Sequence, residues 1–407
     1  MAMMLNEGKI NNYLKEANSF LLSKKDGVVC PMEETRCIQL LPHATKIMEK
    51  AIYQKLVQSG IFDTGPYQTG FKIGSSCGHA QAQVIQKICA DTLKRKKGRR
   101  VYCFIDVAKA FDSVDRTKLF RILDERILKA KQKANEASDI NLLEKLEMAQ
   151  KALTPLKDMY DGHKLITGTE SFETTNGVIQ GAVNSPQLFA VYLEEYLFKD
   201  PIIKNFCEFK NLLAFADDMV LICNSYSELR DVLKRLTIVL REAGLEINIK
   251  KSEILSTRNA NLPENGDWQT DDEDTHPIVK HYRESSEPYV HRKGAKENPI
   301  ALDSAPMEID QQAEAAPKTR IDHKVICGMK IVEKFKYLGL ELGSTKAEIE
   351  KNARTQVQKY VSIVHGKVNT GDEGCNNAVV SAYARSLFLF MMPPLVANNI
   401  LGCDETT

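Results

Sequence analysis

LLAFADDMVLIC, Leu212–Cys223, is the stretch on which the reading of the fold turns. Two apolar arms, Leu212–Phe215 and Met219–Cys223, flank the adjacent carboxylates Asp217 and Asp218. Short apolar runs separated by a polar dipeptide have the form of a β-hairpin. Neighbouring carboxylates repel each other, and holding them among apolar residues is costly unless a cation offsets their charge. A solvated turn is the plain alternative for an Asp-Asp pair, and the apolar arms on both sides count against it. A second acid in a comparable setting is Asp106, which ends the β-prone run Val101–Ile105 within FIDVAKAFD, Phe104–Asp112.

Carboxylates converging from separate strands suit chemistry on phosphates. Two divalent ions roughly 3.5–4 Å apart can activate a hydroxyl nucleophile and neutralise a pentavalent phosphate. Magnesium takes oxygen ligands and keeps some waters, so a few aspartates plus substrate phosphates suffice. A third segment, Gly177-Val178-Ile179-Gln180-Gly181 followed by Asn184-Ser185-Pro186, is rich in turn residues and opens a helical pattern. Small residues there let backbone approach a ligand closely, although glycines often mark no more than a turn.

Outward from these segments the pattern alternates helices and short strands. Helices are expected over Thr45–Ser59, Leu119–Ala130, Leu142–Tyr160, Ser185–Phe198 and Ser227–Ala243, the last ended by Gly244. The polar stretch Lys131–Ile140 reads as a connection. Strands are expected over Leu245–Ile249 and from Val325–Ile331 through Leu340, with helices around Lys346–Val364 and Ala378–Phe390. Residues Asn259–Asp322 are rich in Pro, Glu, Asp, Asn and Ser and poor in branched apolar residues. A segment that buries so little cannot offset its ordering entropy, and it is expected to be a mostly disordered insertion.

The ten cysteines show no metal-ligand spacing and read as free thiols of a reducing compartment. The net charge of +1 conceals an asymmetry. Asn259–Asp322 carries 14 acidic against 7 basic residues, which leaves 48 basic against 40 acidic elsewhere. The excess is densest at Lys94, Arg95, Lys96, Lys97, Arg99 and Arg100, a weak pointer to phosphate contacts. No apolar run reaches the 18 or so residues of a membrane span, since Ser386–Ile400 is broken by Pro393 and Pro394. No membrane association is expected. An intracellular protein is, with nucleus, cytoplasm and organelles all left open.

Taken in order, the segments resemble the reverse transcriptase domain of non-LTR retrotransposons, and more distantly the reverse transcriptases and maturases of group II introns. DVAKAFDSVD, Asp106–Asp115, resembles the first catalytic motif, and GVIQGAVNSPQLF, Gly177–Phe189, the second. FADD, Phe215–Asp218, is similar to the active-site hairpin. LEINIKKS, Leu245–Ser252, resembles the motif after it, and FKYLG, Phe335–Gly339, the primer grip. Upstream, Arg36–Lys50 and GFKIGSS, Gly70–Ser76, are similar to two fingers motifs.

The resemblance implies an α+β right-hand polymerase fold with fingers, a palm built on a small antiparallel sheet, and a helical thumb. Residues 1–100 would form an N-terminal extension and fingers, 101–258 the palm, 259–322 the insertion, 323–342 the primer-grip region and 343–407 a partial thumb. It implies an RNA-directed DNA polymerase that takes an RNA template, a primer and dNTPs and uses two Mg²⁺ ions, with Mn²⁺ as a substitute. Asp106, Asp217 and Asp218 would hold the metal, with Val107 a further metal-site position and Lys251 a general acid beside the leaving pyrophosphate. Phe111 would lie beneath the incoming sugar and Gln180 would contact the templating base or nucleotide. Arg36 and Lys46 would face the triphosphate. The acidic insertion could recruit a protein partner.

The chain departs from the family's pattern at several places. Lys72 and Ser75 stand where arginines are usual, which loses the bidentate guanidinium fork. Gly181-Ala182-Val183-Asn184 replaces the more usual Gly-Cys-Pro-Leu or Gly-Asp-Pro-Leu. No endonuclease domain precedes the fingers motifs and no Cys/His cluster follows the thumb. A fragment, a free-standing enzyme and a domesticated descendant are therefore all expected possibilities. The alternative function is a non-catalytic RNA-binding scaffold or a maturase-like splicing factor on the same fold, which would not need the three aspartates.

Overall fold

The computed structural model describes residues 4, 7–23, 35–92, 100–257, 281 and 325–368. After a short 3-10 turn at Asn12–Lys15 come strands β1 (Glu16–Ser23) and β2 (Thr35–Leu40) and helices α1 (His43–Gln58) and α2 (Cys77–Thr92). Strands β3 (Val101–Ile105) and β4 (Val107–Ala108) lead into the long helices α3 (Arg116–Glu136) and α4 (Ile140–Tyr160). Next are β5 (Lys164–Thr167), β6 (Glu170–Glu173), α5 (Ser185–Leu197), α6 (Pro201–Glu208), β7 (Leu212–Phe215) and β8 (Asp218–Cys223). They are followed by α7 (Tyr226–Glu242), β9 (Glu246–Ile247) and β10 (Glu253–Ser256). Past the gap lie β11 (Val325–Ile326), β12 (Met329–Val332), β13 (Lys334–Tyr337), β14 (Leu340–Gly343) and α8 (Lys346–Val368). The class is α+β with mostly antiparallel pairing, as expected.

The chain forms two compact units, each assembled from separate segments. The first comprises residues 1–72, 107–199 and 238–246. Its sheet runs β2-β1-β5-β6, with β1 parallel to β5 and the other pairs antiparallel. Helices α3 and α4 form an antiparallel hairpin, α1 packs on α4, and α5 packs on α3. The side chains of Asp115 and Asp139 cap α3 and α4 by accepting from Lys118 N–H and Leu142 N–H. Helix α3 continues through Lys131–Glu136, which the sequence reading assigned to a connection. Those residues are mostly strong helix formers, and Ala134 buries itself two turns on from Ile127.

The second unit comprises residues 73–106, 200–237 and 247–407. Its six-stranded sheet runs β11-β12-β10-β3-β8-β7, antiparallel except between β10 and β12. Val84, Ile85 and Ile88 of α2 pack on Tyr102 and Phe104 of β3 and Val220 and Ile222 of β8. Leu340 and Leu342 of β14 and Ile349 and Ala353 of α8 complete this core. Each fully buried large side chain of this kind contributes roughly 1.5–3 kcal/mol. Arg100 is not a solvated member of a basic run: its Nε lies 2.9 Å from both oxygens of buried Asp91, which also accepts from Tyr102 Oη at 2.6 Å.

Two strand expectations are corrected. Leu245–Ile249 shrinks to the two residues of β9, because Lys251 N–H and Ser252 N–H both turn back to the Asn248 carbonyl. The expected strand from Val325 through Leu340 is four short strands. Cys327 and Gly328 turn β11 into β12, and Leu338 and Gly339 turn β13 into β14, all four at positive φ. Lys94–Lys97 and Arg99, the Asn259–Asp322 insertion, the Ser386–Ile400 apolar segment and the Ala378–Phe390 helical pattern lie outside the described residues.

Candidate active site

The hairpin read from Leu212–Cys223 exists. Phe215 pairs with Asp218 across a two-residue turn of Ala216 and Asp217. Two-residue hairpin turns that match strand twist need a left-handed conformation at the first central position. Ala216 adopts it, at φ 56°, with its methyl group buried. An alanine held there stores about 1–2 kcal/mol of strain, sustained by the paired arms.

Strand β3 brings the third carboxylate to the same end of the sheet. Ile105 pairs with Met219, so one further step of the register sets Asp106 opposite Asp218. Side chains directly opposite on antiparallel strands have Cβ atoms about 4.5–5.5 Å apart. All three aspartates are half-buried.

Asp106 is fixed by the chain that follows β9. Its carbonyl accepts from Asn248 N–H at 2.8 Å, and its N–H donates to Ser252 Oγ at 3.1 Å. Ser252 Oγ in turn donates to the Asn248 carbonyl at 2.9 Å. The same turn carries Lys251, whose Nζ stands 4.0 Å from Asp106 Oδ2 while its side chain stays 61% exposed. Asn248 and Ser252 escaped the sequence reading although both lie in the quoted LEINIKKS segment. Their contribution is hydrogen bonding to backbone 142 or more positions away, which leaves no trace in local pattern.

Asp218 also influences apolar neighbours. Burial pushes the Cys77 thiol up, and the Asp218 charge adds to it. Burial likewise pushes the Tyr337 phenol up, with Asp218 the next cause and Cys77 after it. The buried Tyr337 hydroxyl finds no hydrogen-bond partner among the described residues.

The first unit holds Phe111, Gln180, Arg36 and Lys46. Gln180 Nε2 donates to Asp112 Oδ1 at 2.7 Å, and the Gln180 carbonyl accepts from Gln39 N–H at 2.8 Å. Gly177 N–H bonds to Val114 O, and Val178 N–H to Phe111 O. Glycine is required at 181: φ is +116°, and a Cβ would sit 2.6 Å from the Gln39 carbonyl oxygen. Phe111 stacks on Phe189 with ring centroids 5.0 Å apart. Burial pushes the Glu49 carboxyl above the usual carboxylate range, against hydrogen bonds from Val183 and Asn184 and, last, the nearby Lys46 charge. Arg36 is exposed on β2, opposite Leu22. Of the residues noted as departures, Lys72 donates to the Thr64 carbonyl at 2.9 Å.

Oxygen-only donors at one sheet end fit a hard divalent cation. Among the described residues, no three His, Cys, Asp or Glu side chains converge as they stand on one ion. A two-ion centre draws its remaining ligands from substrate phosphates and water.

Among solved structures, the chain is similar to apo telomerase from Candida tropicalis, with 14% identity, a TM-score of 0.41, and 60% of this chain covering 45% of that one. It is also similar to the RNA-dependent RNA polymerase of a human picorbirnavirus, with 14% identity, a TM-score of 0.37, and 62% of this chain covering 44% of that one. The chain thus spans about half the length of these structures. No curated protein matches it. No helix among the described residues is long and apolar enough to cross a membrane. A family model described as reverse transcriptase (RNA-dependent DNA polymerase) matches residues 22–342, a span that takes in the Asp106 strand, the Asp217–Asp218 hairpin and the Gln180 turn, and the chain belongs to that family.

Proposed function

We propose that the protein is an RNA-directed DNA polymerase of the non-LTR retrotransposon type, extending a primer on an RNA template with dNTPs. The observation that carries this reading is the strand register that gathers Asp106 and Asp218 beside the Asp217 turn. Fingers, palm and thumb follow the boundaries given above, with the six-stranded sheet as the palm.

Asp106, Asp217 and Asp218 would hold two Mg²⁺ ions, and Val107, with an apolar side chain, could add only a backbone oxygen. The ions, when bound, would supply activation of the 3′-hydroxyl and neutralisation of phosphate charge. The chain's own residues do the rest. The Asn248–Ser252 turn holds the Asp106 backbone at both its carbonyl and its N–H, which fixes the position from which its side chain reaches the metal site. Lys251, a flexible cation near Asp106, would protonate the leaving pyrophosphate. Gln180, pinned at backbone and side chain, would meet the templating base or nucleotide. Phe111, held flat on Phe189, would limit room at the sugar. Arg36 and Lys46 would bind the triphosphate.

Single-turnover incorporation of one dNMP tests the assignment. Asp106→Asn and Asp218→Asn should each lower the rate by about 10³-fold or more while leaving primer–template affinity within a few-fold. Incorporation at the wild-type rate by either variant would remove that residue from the metal site.

A further inference from the structure

Helix α1 carries an acid that the reading above leaves without a role. Glu49 is completely buried, and its carboxylate points at the turn that follows Gln180. Val183 N–H donates to Oε2 at 3.0 Å. Asn184 Nδ2 lies 3.1 Å from the Glu49 carbonyl oxygen and 3.5 Å from Oε1. A buried carboxylate is tolerated only when donors meet it. Here the donors come from two positions where the chain departs from its family's usual residues. A proline at 183 would have no N–H to give and a leucine at 184 no side-chain donor, so the Val183 N–H and Asn184 amide contacts depend on the residues this chain carries there.

The placement of the turn gives those contacts a consequence. Gln180 is tied upstream, through the Gln39 N–H bond to its carbonyl and its own bond to Asp112. Downstream, Ala182 N–H bonds to the Ile179 carbonyl across Gln180 and Gly181, and residues 183 and 184 continue that turn to Glu49. We propose that Glu49 is a positioning residue: its carboxylate clamps the Val183–Asn184 turn and thereby fixes Gln180 for the templating base or nucleotide. The second half of this proposal rests on the polymerase reading. The clamp does not.

The test uses the full chain with two readouts: hydrogen exchange across residues 177–184, and dNTP KM and kcat on an RNA template. Glu49→Ala should speed exchange at the turn and raise KM about tenfold while changing kcat less than about threefold. Glu49→Gln keeps size and one acceptor but sets its amide against that of Asn184, so it should show both effects more weakly. It carries the comparison if the alanine variant does not fold. Unchanged exchange in a folded Glu49 variant overturns the clamp. A loosened turn with unchanged KM overturns its link to Gln180. A wild-type protein without extension activity contradicts the polymerase reading and removes the Gln180 role with it, and the exchange result then decides the clamp alone.

Discussion

Replacing Gly181 by alanine probes the close approach that holds the Gln180 turn against β2. At φ +116° the residue lies outside the left-handed well that an alanine can occupy, a cost of about 1–3 kcal/mol. The new Cβ would stand 2.6 Å from the Gln39 carbonyl oxygen. Clearing it moves the two backbones apart and sacrifices the 2.8 Å bond from Gln39 N–H to Gln180 O, worth about 1 kcal/mol more. The total is about 3 kcal/mol. Gly168→Ala is the control in the same unit, with φ +61° and no atom within 4 Å of an added Cβ. It should cost about 1 kcal/mol, the left-handed penalty alone. For a unit of this size the two substitutions should lower Tm by roughly 10 °C and roughly 4 °C respectively. Circular dichroism melts at matched scan rates, backed by urea titrations, would measure both. Equal shifts, or a Gly181→Ala loss under about 1 kcal/mol, would refute the steric account.

Other residues offer independent checks. Tyr337→Phe removes a buried hydroxyl without a described partner, so stability should hold or rise by up to about 1 kcal/mol, and a loss above that in urea denaturation would show an unrecognised bond. His163 is buried with Nε2 2.7 Å from Gln39 Oε1, and burial lowers its pKa from 6.5 to about 4. The unfolded chain therefore binds this proton first, so stability is fully present above pH 6.5 and is lost as pH falls towards 4. His163→Gln should remove about 2 kcal/mol of that acid-side loss, and a wild-type-to-variant gap that stays constant from pH 7.5 to 4.5 would refute it. Lys251 is largely exposed beside Asp106, so Lys251→Met should change stability by under about 0.5 kcal/mol while slowing kcat about 10²-fold. An unchanged kcat would return it to simple surface charge.

What was legible in the sequence was what local chemistry determines. The arms of the Asp217–Asp218 hairpin and strand Val101–Ile105 were readable because short apolar runs end at carboxylates, and Gly244 marked the end of α7 through its left-handed backbone, φ +72°. Strands β1, β2, β5 and β6 were not read as strands. Their sequences mix polar and apolar residues, and β1 finds its parallel partner β5 about 148 positions away, where no hairpin turn advertises the pairing. Leu245–Ile249 alternates as a strand should, yet tertiary bonds from Asn248 and Ser252 to Asp106 override that preference. The glycines at 328 and 339 did mark turns, and reading through them merged β11 to β14 into one run. Glu49 sits between Met48 and Lys50 and reads as a solvated helix position, since its burial depends on a turn 134 residues further on. Within the candidate site, the acids were visible as chemistry, whereas the groups that orient them were visible only as geometry.

Primer extension on an RNA template with Mg²⁺ and four dNTPs, comparing wild type with Asp217→Ala, tests the polymerase reading most directly. RNA binding is measured on the same preparations. The account predicts template-length products from the wild type, none from Asp217→Ala, and RNA affinity alike in both. Folded wild-type protein that binds RNA but adds no nucleotide, or an Asp217→Ala variant that extends as well as wild type, would contradict it.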